Sequence, residues 1–321
     1  MDFRIGKETD GTSVLDFLRR EMRLSRAMLR HLKFTDDGIT VDGDHVTVRH
    51  ILREGELLSI KSEDTEPSAS IEPCDIELSV AYEDSVLTVP DKPPFMPTHP
   101  SHNHYDDTVA NALAFRYRDE DIPFVFRPVN RLDRNTSGLL LIARNRMAAA
   151  RLFESMKRGE IFKEYLAVLD GVLPKSSGEI ETYMKRTDQS IIVRRVCGSD
   201  EGGDYALTRY RVLFCDGAHS VVAATPVTGR THQLRVHFAS LGAPICGDDM
   251  YGEASPLIDR HALHAARLSF VHPDSEKRME LVSHIPKDIK ELIYALFAKD
   301  KEKIDLRLAE FYGITEEKKD E

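Results

Sequence analysis

The sequence is poor in cysteine. Cys74, Cys197, Cys215 and Cys246 stand apart with no CxxC among them. That speaks against a disulfide framework or a zinc site and for reduced thiols in a cytoplasm. No stretch approaches the roughly 18 apolar residues that a membrane helix needs, and the opening MDFRIGKETDG lacks the apolar core of an export signal. Phosphate, dinucleotide and zinc-hydrolase motifs are missing too: there is no GxxxxGK, no glycine-rich dinucleotide turn and no HExxH. His99, His102 and His104 cluster in THPSHNH, but their spacing suits no regular zinc pattern, so a loop is expected there and no metal. No internal repeat and no sustained βαβ alternation is present, which points to a mixed α+β fold.

What is there suits a globular chain. With 321 residues, 41% hydrophobic and 31% charged, it has length for a sizeable core and more than one domain. The net charge of −10 argues against a general affinity for polyanions. The charge is uneven, however. Residues 127–163 hold nine Lys or Arg against Asp133, Glu154 and Glu160, and residues 19–33 hold Arg19, Arg20, Arg23, Arg26, Arg30 and Lys33 against Glu21. Two basic patches on an acidic body fit either solvated helix faces or a polyanion bound at defined places.

Residues 1–62 read as a small α+β unit. Ser13 can cap the helix SVLDFLRREM with Asp16 three residues on, and Ser25 can cap SRAMLRHLKF. ITVDG and HVTVRH flank Asp42-Gly43, a hairpin signal. The polar, aperiodic stretch over 63–75 is a linker. Residues 76–285 form a strand-rich domain with strands expected in IELSVAYE, SVLTVPD, GLLLIAR, YLAVLD, ALTRYRVLF and HSVVAATPV. Helices are expected in VANALAFRYR, in NRMAAARLFESMKRG between Asn145 and Gly159, and in THQLRVHFASLG. Residues 286–321 give an amphipathic helix, KDIKELIYALFAK, and a frayed tail.

One stretch, RPVNRLDRNTSG, sets a single acid, Asp133, among Arg127, Arg131 and Arg134 and runs into the apolar LLLIAR. Neighbouring guanidinium groups favour an ionised carboxylate, which can act as a nucleophile or base but not as an acid. The alternative is an ordinary Asx-turn with surface ion pairs. In THQLRVHFASL, Leu234, Phe238 and Leu241 share one apolar face. Thr231 and Arg235 share another, with His232 three residues from Arg235, so polar groups can converge on a site.

RPVNRLDRNTSGLLLIAR resembles the signature of the RluA-type RNA pseudouridine synthases, in which His-Arg-Leu-Asp precedes two free positions and Thr-Ser-Gly. Five further blocks follow the family order: AYEDSVLTVPDKPPFMPTHPS, KEYLAVLDG, TPVTGRTHQLRVH, GAPICGDDMYG and RHALHAARLSFVHP. Asn130 replaces the usual histidine. The resemblance spans roughly residues 76–275. It implies isomerisation of uridine to pseudouridine in rRNA or tRNA without a cofactor, on a domain with a mixed, mainly antiparallel sheet and flanking helices. Asp133 would be the catalytic carboxylate, either attacking C1′ or first removing a sugar proton. Tyr165 would lie against the target base and help proton removal at C5, and Arg235 would pair with Asp133.

Arg131 would fill the gap left by the extruded uridine. Arg134, Arg230, Thr231, His232 and Gln233 would contact RNA. LDFLRRE, SRAMLRHL, ITVDGDHVT and REGELLSI resemble the alpha-L, S-four-type RNA-binding module, which implies RNA contacts from Arg26 and Arg30. A monomer in the cytoplasm with RNA as its partner is expected, away from membranes. Two other readings compete. A glycosidase would need a second carboxylate of raised pKa beside the first, and none lies in the arginine-rich segment. A non-catalytic RNA-binding protein of the same fold would have no use for Asp133, Tyr165 and Arg235 together.

Overall fold

The computed structural model describes residues 2–22, 24, 26–61, 68, 71–120 and 123–313, with backbone alone for 26–28. Ser25, most of the 63–75 linker and the end of the tail lie outside the described residues.

The N-terminal unit is built from β1 (Asp2–Arg4), α1 (Val14–Arg20), α2 (Arg26–Phe34), β2 (Ile39–Val41), β3 (Asp44–His45) and β4 (Leu57–Ile60). Its sheet runs β1-β4-β2-β3. Ser13 caps α1 as expected: its hydroxyl accepts from the Asp16 amide at 3.1 Å and donates to the Asp16 carboxylate at 2.7 Å. Asp42 and Gly43 both take positive φ, at 50° and 91°, the conformation of the tight turn that twists with its strands. Leu18, Leu32, Leu52 and Leu58 are fully buried, each contributing about 2 kcal/mol by removal from water. Met147 and Ala150 belong to the same cluster, so the unit is docked on the next domain.

That domain comprises β5 (Val80–Glu83), β6 (Leu87–Lys92), α3 (Val109–Arg116), β7 (Arg127–Pro128), β8 (Ser137–Leu139), β9 (Ile142–Ala143), α4 (Arg146–Lys157), β10 (Phe162–Leu169), β11 (Ser177–Thr187), β12 (Ser190–Cys197), β13 (Asp204–Cys215), β14 (Ser220–Pro226), α5 (Gln233–Ser240), β15 (Leu263–Val271), β16 (Arg278–Val282), α6 (Lys287–Leu296) and α7 (Lys301–Tyr312). Asn145 caps α4, its side-chain oxygen accepting from the Ala148 amide at 2.8 Å. Among the described residues one sheet follows the order β12-β11-β13-β14-β10-β15-β8-β6-β9-β7, with β16 on β15 and β5 on β6. The β15–β8 pair is parallel and the rest are antiparallel, which is the mixed α+β architecture expected.

The centre of the sheet is β10, between β14 and β15. Its run Tyr165–Leu169 is wholly buried, as a strand covered on both faces must be. Beyond residue 286, Ile289, Leu292, Ile293, Ile304, Leu308 and Phe311 enter the same core. The boundary expected at 286 therefore separates no packing unit. The described part of the linker is likewise pinned to this domain, the Asn111 amide donating to the Glu72 carbonyl at 2.8 Å and Cys74 to the Asn111 carbonyl at 3.2 Å.

Candidate active site

Asp133 sits in the loop between β7 and β8, and its backbone is held from several sides. Thr98 donates its hydroxyl to the Leu132 carbonyl at 2.9 Å. The Lys92 ammonium, 1% exposed, donates to the carbonyls of Pro93, Met96 and Arg134 at 2.9, 2.8 and 2.9 Å. The Thr136 amide closes the turn on the Asp133 carbonyl at 3.0 Å. The Thr136 hydroxyl meets His261 Nε2 at 2.9 Å, and the Ser137 hydroxyl meets His264 Nδ1 at 3.0 Å. Burial pulls both imidazoles down, to about 3 and about 4, so each is a neutral ring. Gly138 then has φ 109°, and a Cβ there would meet the Ala265 carbonyl oxygen at 2.3 Å, so the loop enters β8 only with glycine.

The Asp133 side chain escapes this grip. It is 28% exposed, and among the described residues its ion-pair partner is Arg235, Nη1 at 3.6 Å. Arg235 lies on α5, 6% exposed, and is forked on Asp248, Nε to Oδ2 and Nη2 to Oδ1 both at 2.7 Å. Asp248 is fully buried. Burial opposes both charges, but the mutual hydrogen bonds and attraction outweigh it: Arg235 is raised and Asp248 lowered. The guanidinium also lies over the Tyr251 ring at 5.0 Å. Tyr251 hydroxyl meets His232 Nδ1 at 2.8 Å, and His232 starts α5 in the left-handed region at φ 58°, strain of the kind found at functional sites. Burial lowers His232, against the opposing charge of Asp133.

Tyr165, buried on β10, lies near enough to Asp133 to feel its charge. Burial raises its phenol, and the charge of Asp133 raises it further. Tyr165 is therefore a phenol at neutral pH, suited to packing and hydrogen-bond donation and unsuited to acting as a phenolate base. The structure thus brings Asp133, Tyr165 and Arg235 together around an accessible carboxylate.

The sequence profile of the RNA pseudouridylate synthase family matches residues 86–240, which contain all three. The RNA pseudouridine synthase YjbO of Bacillus subtilis is 34% identical over 85% of this chain and 95% of its own. The chain belongs to the RNA pseudouridine synthases.

Ribosomal large subunit pseudouridine synthase D of Xanthomonas campestris is 36% identical over 80% of each chain. The solved structure of human RNA pseudouridylate synthase domain containing 1 superposes with a TM-score of 0.53 at 28% identity, over 73% of this chain and 98% of the other. The protein isomerises uridine to pseudouridine in RNA, and the non-catalytic alternative is not favoured.

Around this synthase site the other expected residues divide. Arg131 and Arg134 are exposed, Arg134 Nε reaching the Phe95 carbonyl at 3.3 Å. Arg230 is exposed, with Nε on the Tyr205 carbonyl at 2.9 Å, and Thr231 and His232 are half-buried. Gln233 is 4% exposed. Its amide nitrogen donates to Leu207 carbonyl and Thr208 hydroxyl at 2.9 Å each, and its oxygen accepts from Thr228 and the Arg230 amide. That leaves it no group for RNA; it shapes the turn that presents Arg230. Arg30 is exposed on α2, while the Arg26 side chain lies outside the described residues.

Asn130, in the family's histidine position, accepts from the Leu141 amide at 2.7 Å and leaves Nδ2 buried without a partner. Lys92, Thr98, Asp248, Tyr251, His261 and His264 were missed as site residues. The blocks DKP, PTHPS, GDDMYG and RHALHA carried them, but nothing local separates Asp248, buried, from its exposed neighbour Asp249.

Proposed function

We propose that Asp133 is the catalytic carboxylate of this synthase and that its substrate is a uridine of large-subunit ribosomal RNA. The observation that carries the first part is the 28% exposed Asp133 side chain beside Arg235 at 3.6 Å, in a loop whose backbone is fixed. A pinned backbone with an uncommitted carboxylate is what a group acting on C1′ needs, since a bound geometry loses little freedom on reaching the transition state. Arg235 steadies the anion, and Tyr165 packs against the extruded base as a neutral phenol. The isomerisation breaks the N1–C1′ bond, joins C5 to C1′, and gives up the C5 proton while N1 takes one up, so atoms balance without a cofactor. Arg131 and Arg134, and with them Arg230, Thr231 and His232 at the start of α5, face the RNA that brings the uridine in.

The second part rests on the relative named for the large ribosomal subunit. The N-terminal unit supplies a further RNA surface through the exposed cations Arg19 and Arg20 of α1 and Arg30 and Lys33 of α2, side chains suited to phosphate. The protein works as a cytoplasmic monomer; among the described residues no helix is long and apolar enough to cross a membrane. Mapping pseudouridine in RNA from a strain lacking the protein tests the target. Loss of a large-subunit position, restored by wild type and not by Asp133→Asn, is expected; loss confined to transfer RNA overturns the target assignment.

A further inference from the structure

We infer that Arg260 and Asp288 form a positioning pair that ties the Asp133 loop to helix α6, making that helix a working part of the site although it is remote in sequence; this rests on Asp133 being the catalytic carboxylate. Arg260 is 1% exposed, heading the fully buried side chains by volume. Its guanidinium faces two ways. Nε and Nη2 fork the Asp288 carboxylate at 2.6 and 3.0 Å, while Nη1 donates to the carbonyl of Asn135 at 3.0 Å and of Leu263 at 3.2 Å. Asn135 lies inside the turn closed by Thr136 on Asp133, so its carbonyl direction sets how the Asp133 side chain leaves the loop. Lys92 holds the preceding carbonyl, Arg134, at 2.9 Å. Two buried basic side chains therefore grip consecutive peptide oxygens of the loop that carries the carboxylate.

Arg260 also meets the second carboxylate loop. A Cβ on Gly247, the residue before Asp248, would lie 2.4 Å from the Arg260 carbonyl oxygen, and the Ala262 amide donates to the Cys246 carbonyl at 2.9 Å. One residue thus sets the spacing between the two acids that share Arg235. Its own orientation depends on Asp288, because a buried guanidinium without its anion is strongly unfavourable and seeks another partner. Asp288 sits in the first turn of α6, where an acid suits the helix dipole, and Ile289, Leu292 and Ile293 fix that helix in the core. Neither Arg260 nor Asp288 lies within the family-matched residues 86–240. Asp288, 38% exposed at its side chain, can be replaced without opening a cavity.

The test uses full-length Asp288→Ala, Asp288→Asn and Asp288→Glu in single-turnover tritium release from total RNA of a deletion strain labelled at uridine C5. Enzyme is titrated in excess, which separates the limiting rate from the half-saturating concentration. The alanine variant is expected to lose about 10²-fold in limiting rate, the scale of a misplacement near 1 Å. Half-saturation should stay within about twofold, asparagine should fall between, and glutamate should recover most of the rate. A limiting rate unchanged at a temperature where the variants are folded overturns the proposal. So does a loss that falls on half-saturation instead, or one that glutamate fails to rescue while asparagine does. If Asp288→Ala does not fold, the asparagine–glutamate pair carries the same comparison. Wild type and Asp133→Asn run alongside: release by Asp133→Asn signals failure of the catalytic assignment itself, whatever the Asp288 variants do.

Discussion

Two loops each bring a carboxylate to the same guanidinium, and they do so in opposite ways. The Asp248 loop gives its acid away: it is fully buried, forked by Arg235 at 2.7 Å twice, and accepts from the amides of Met250 and Tyr251 at 3.2 Å. The Asp133 loop gives away its backbone instead and keeps its acid back, 28% exposed with Arg235 at 3.6 Å. Both acids balance one cation, but only the second has oxygen lone pairs to offer a substrate. The difference teaches that a saturated carboxylate builds a site and an unsaturated one works in it.

Replacements along the two loops should separate these roles. Asp133→Asn removes the working acid and should cut turnover by at least ~10⁴-fold while melting temperature stays near wild type. Asp248→Asn strips the buried anion from Arg235, which then turns towards Asp133. Chemical denaturation should report a loss of about 3 kcal/mol, with a reduced rate and near-normal RNA binding. If Asp248→Asn instead leaves stability alone and silences the enzyme completely, the roles are reversed.

Gly138→Ala forces a Cβ against the Ala265 carbonyl in a left-handed backbone; about 2 kcal/mol of stability should go, and the activity that remains should be lower in rate. Thr136→Val removes one hydroxyl from His261 and should cost about 1 kcal/mol, readable as a small shift in urea midpoint. Lys92 supplies the pH test. Burial, helped by Arg260, pulls its ammonium from 10.5 to about 7. Between those values the unfolded chain holds the extra proton and the folded chain does not, so this lysine makes stability rise with pH from about 7 to 10. Lys92→Met should flatten that slope in denaturation curves taken across the range.

Local chemistry was the legible part of the sequence. The caps Ser13 and Asn145, the Asp42-Gly43 turn and the buried strand around Tyr165 each depend on neighbours a few residues away, and each stands where it was read. β11, β12 and β15 were not read as strands. In β11 the buried positions are Ile180 and Met184, with the polar Thr182 between them on the same face, so the apolar alternation of a strand is not visible, and β15 carries His264 and Arg267 where a core strand would be expected to be apolar. α7 was missed for its density of charge, although Ile304, Leu308 and Phe311 make a helical stripe.

For the site, Asp133, Tyr165 and Arg235 could be named because they fall in blocks with a family order. Which partner Arg235 prefers could not, since the fork on Asp248 spans a helix end and a loop and exists only once both are folded. Gln233 went wrong for the same reason: a polar residue beside Arg230 reads as a surface contact until the fold turns it inward.

The decisive measurement is pseudouridine formation by Asp133→Asn under single-turnover conditions, alongside its affinity for the same RNA and its melting curve. No product above background, with binding within about twofold of wild type and an unchanged fold, is the result expected of an acid held ready by its pinned backbone and the Arg235 guanidinium. Product formed at a rate near that of the native enzyme would contradict it, and would move the chemistry to another side chain.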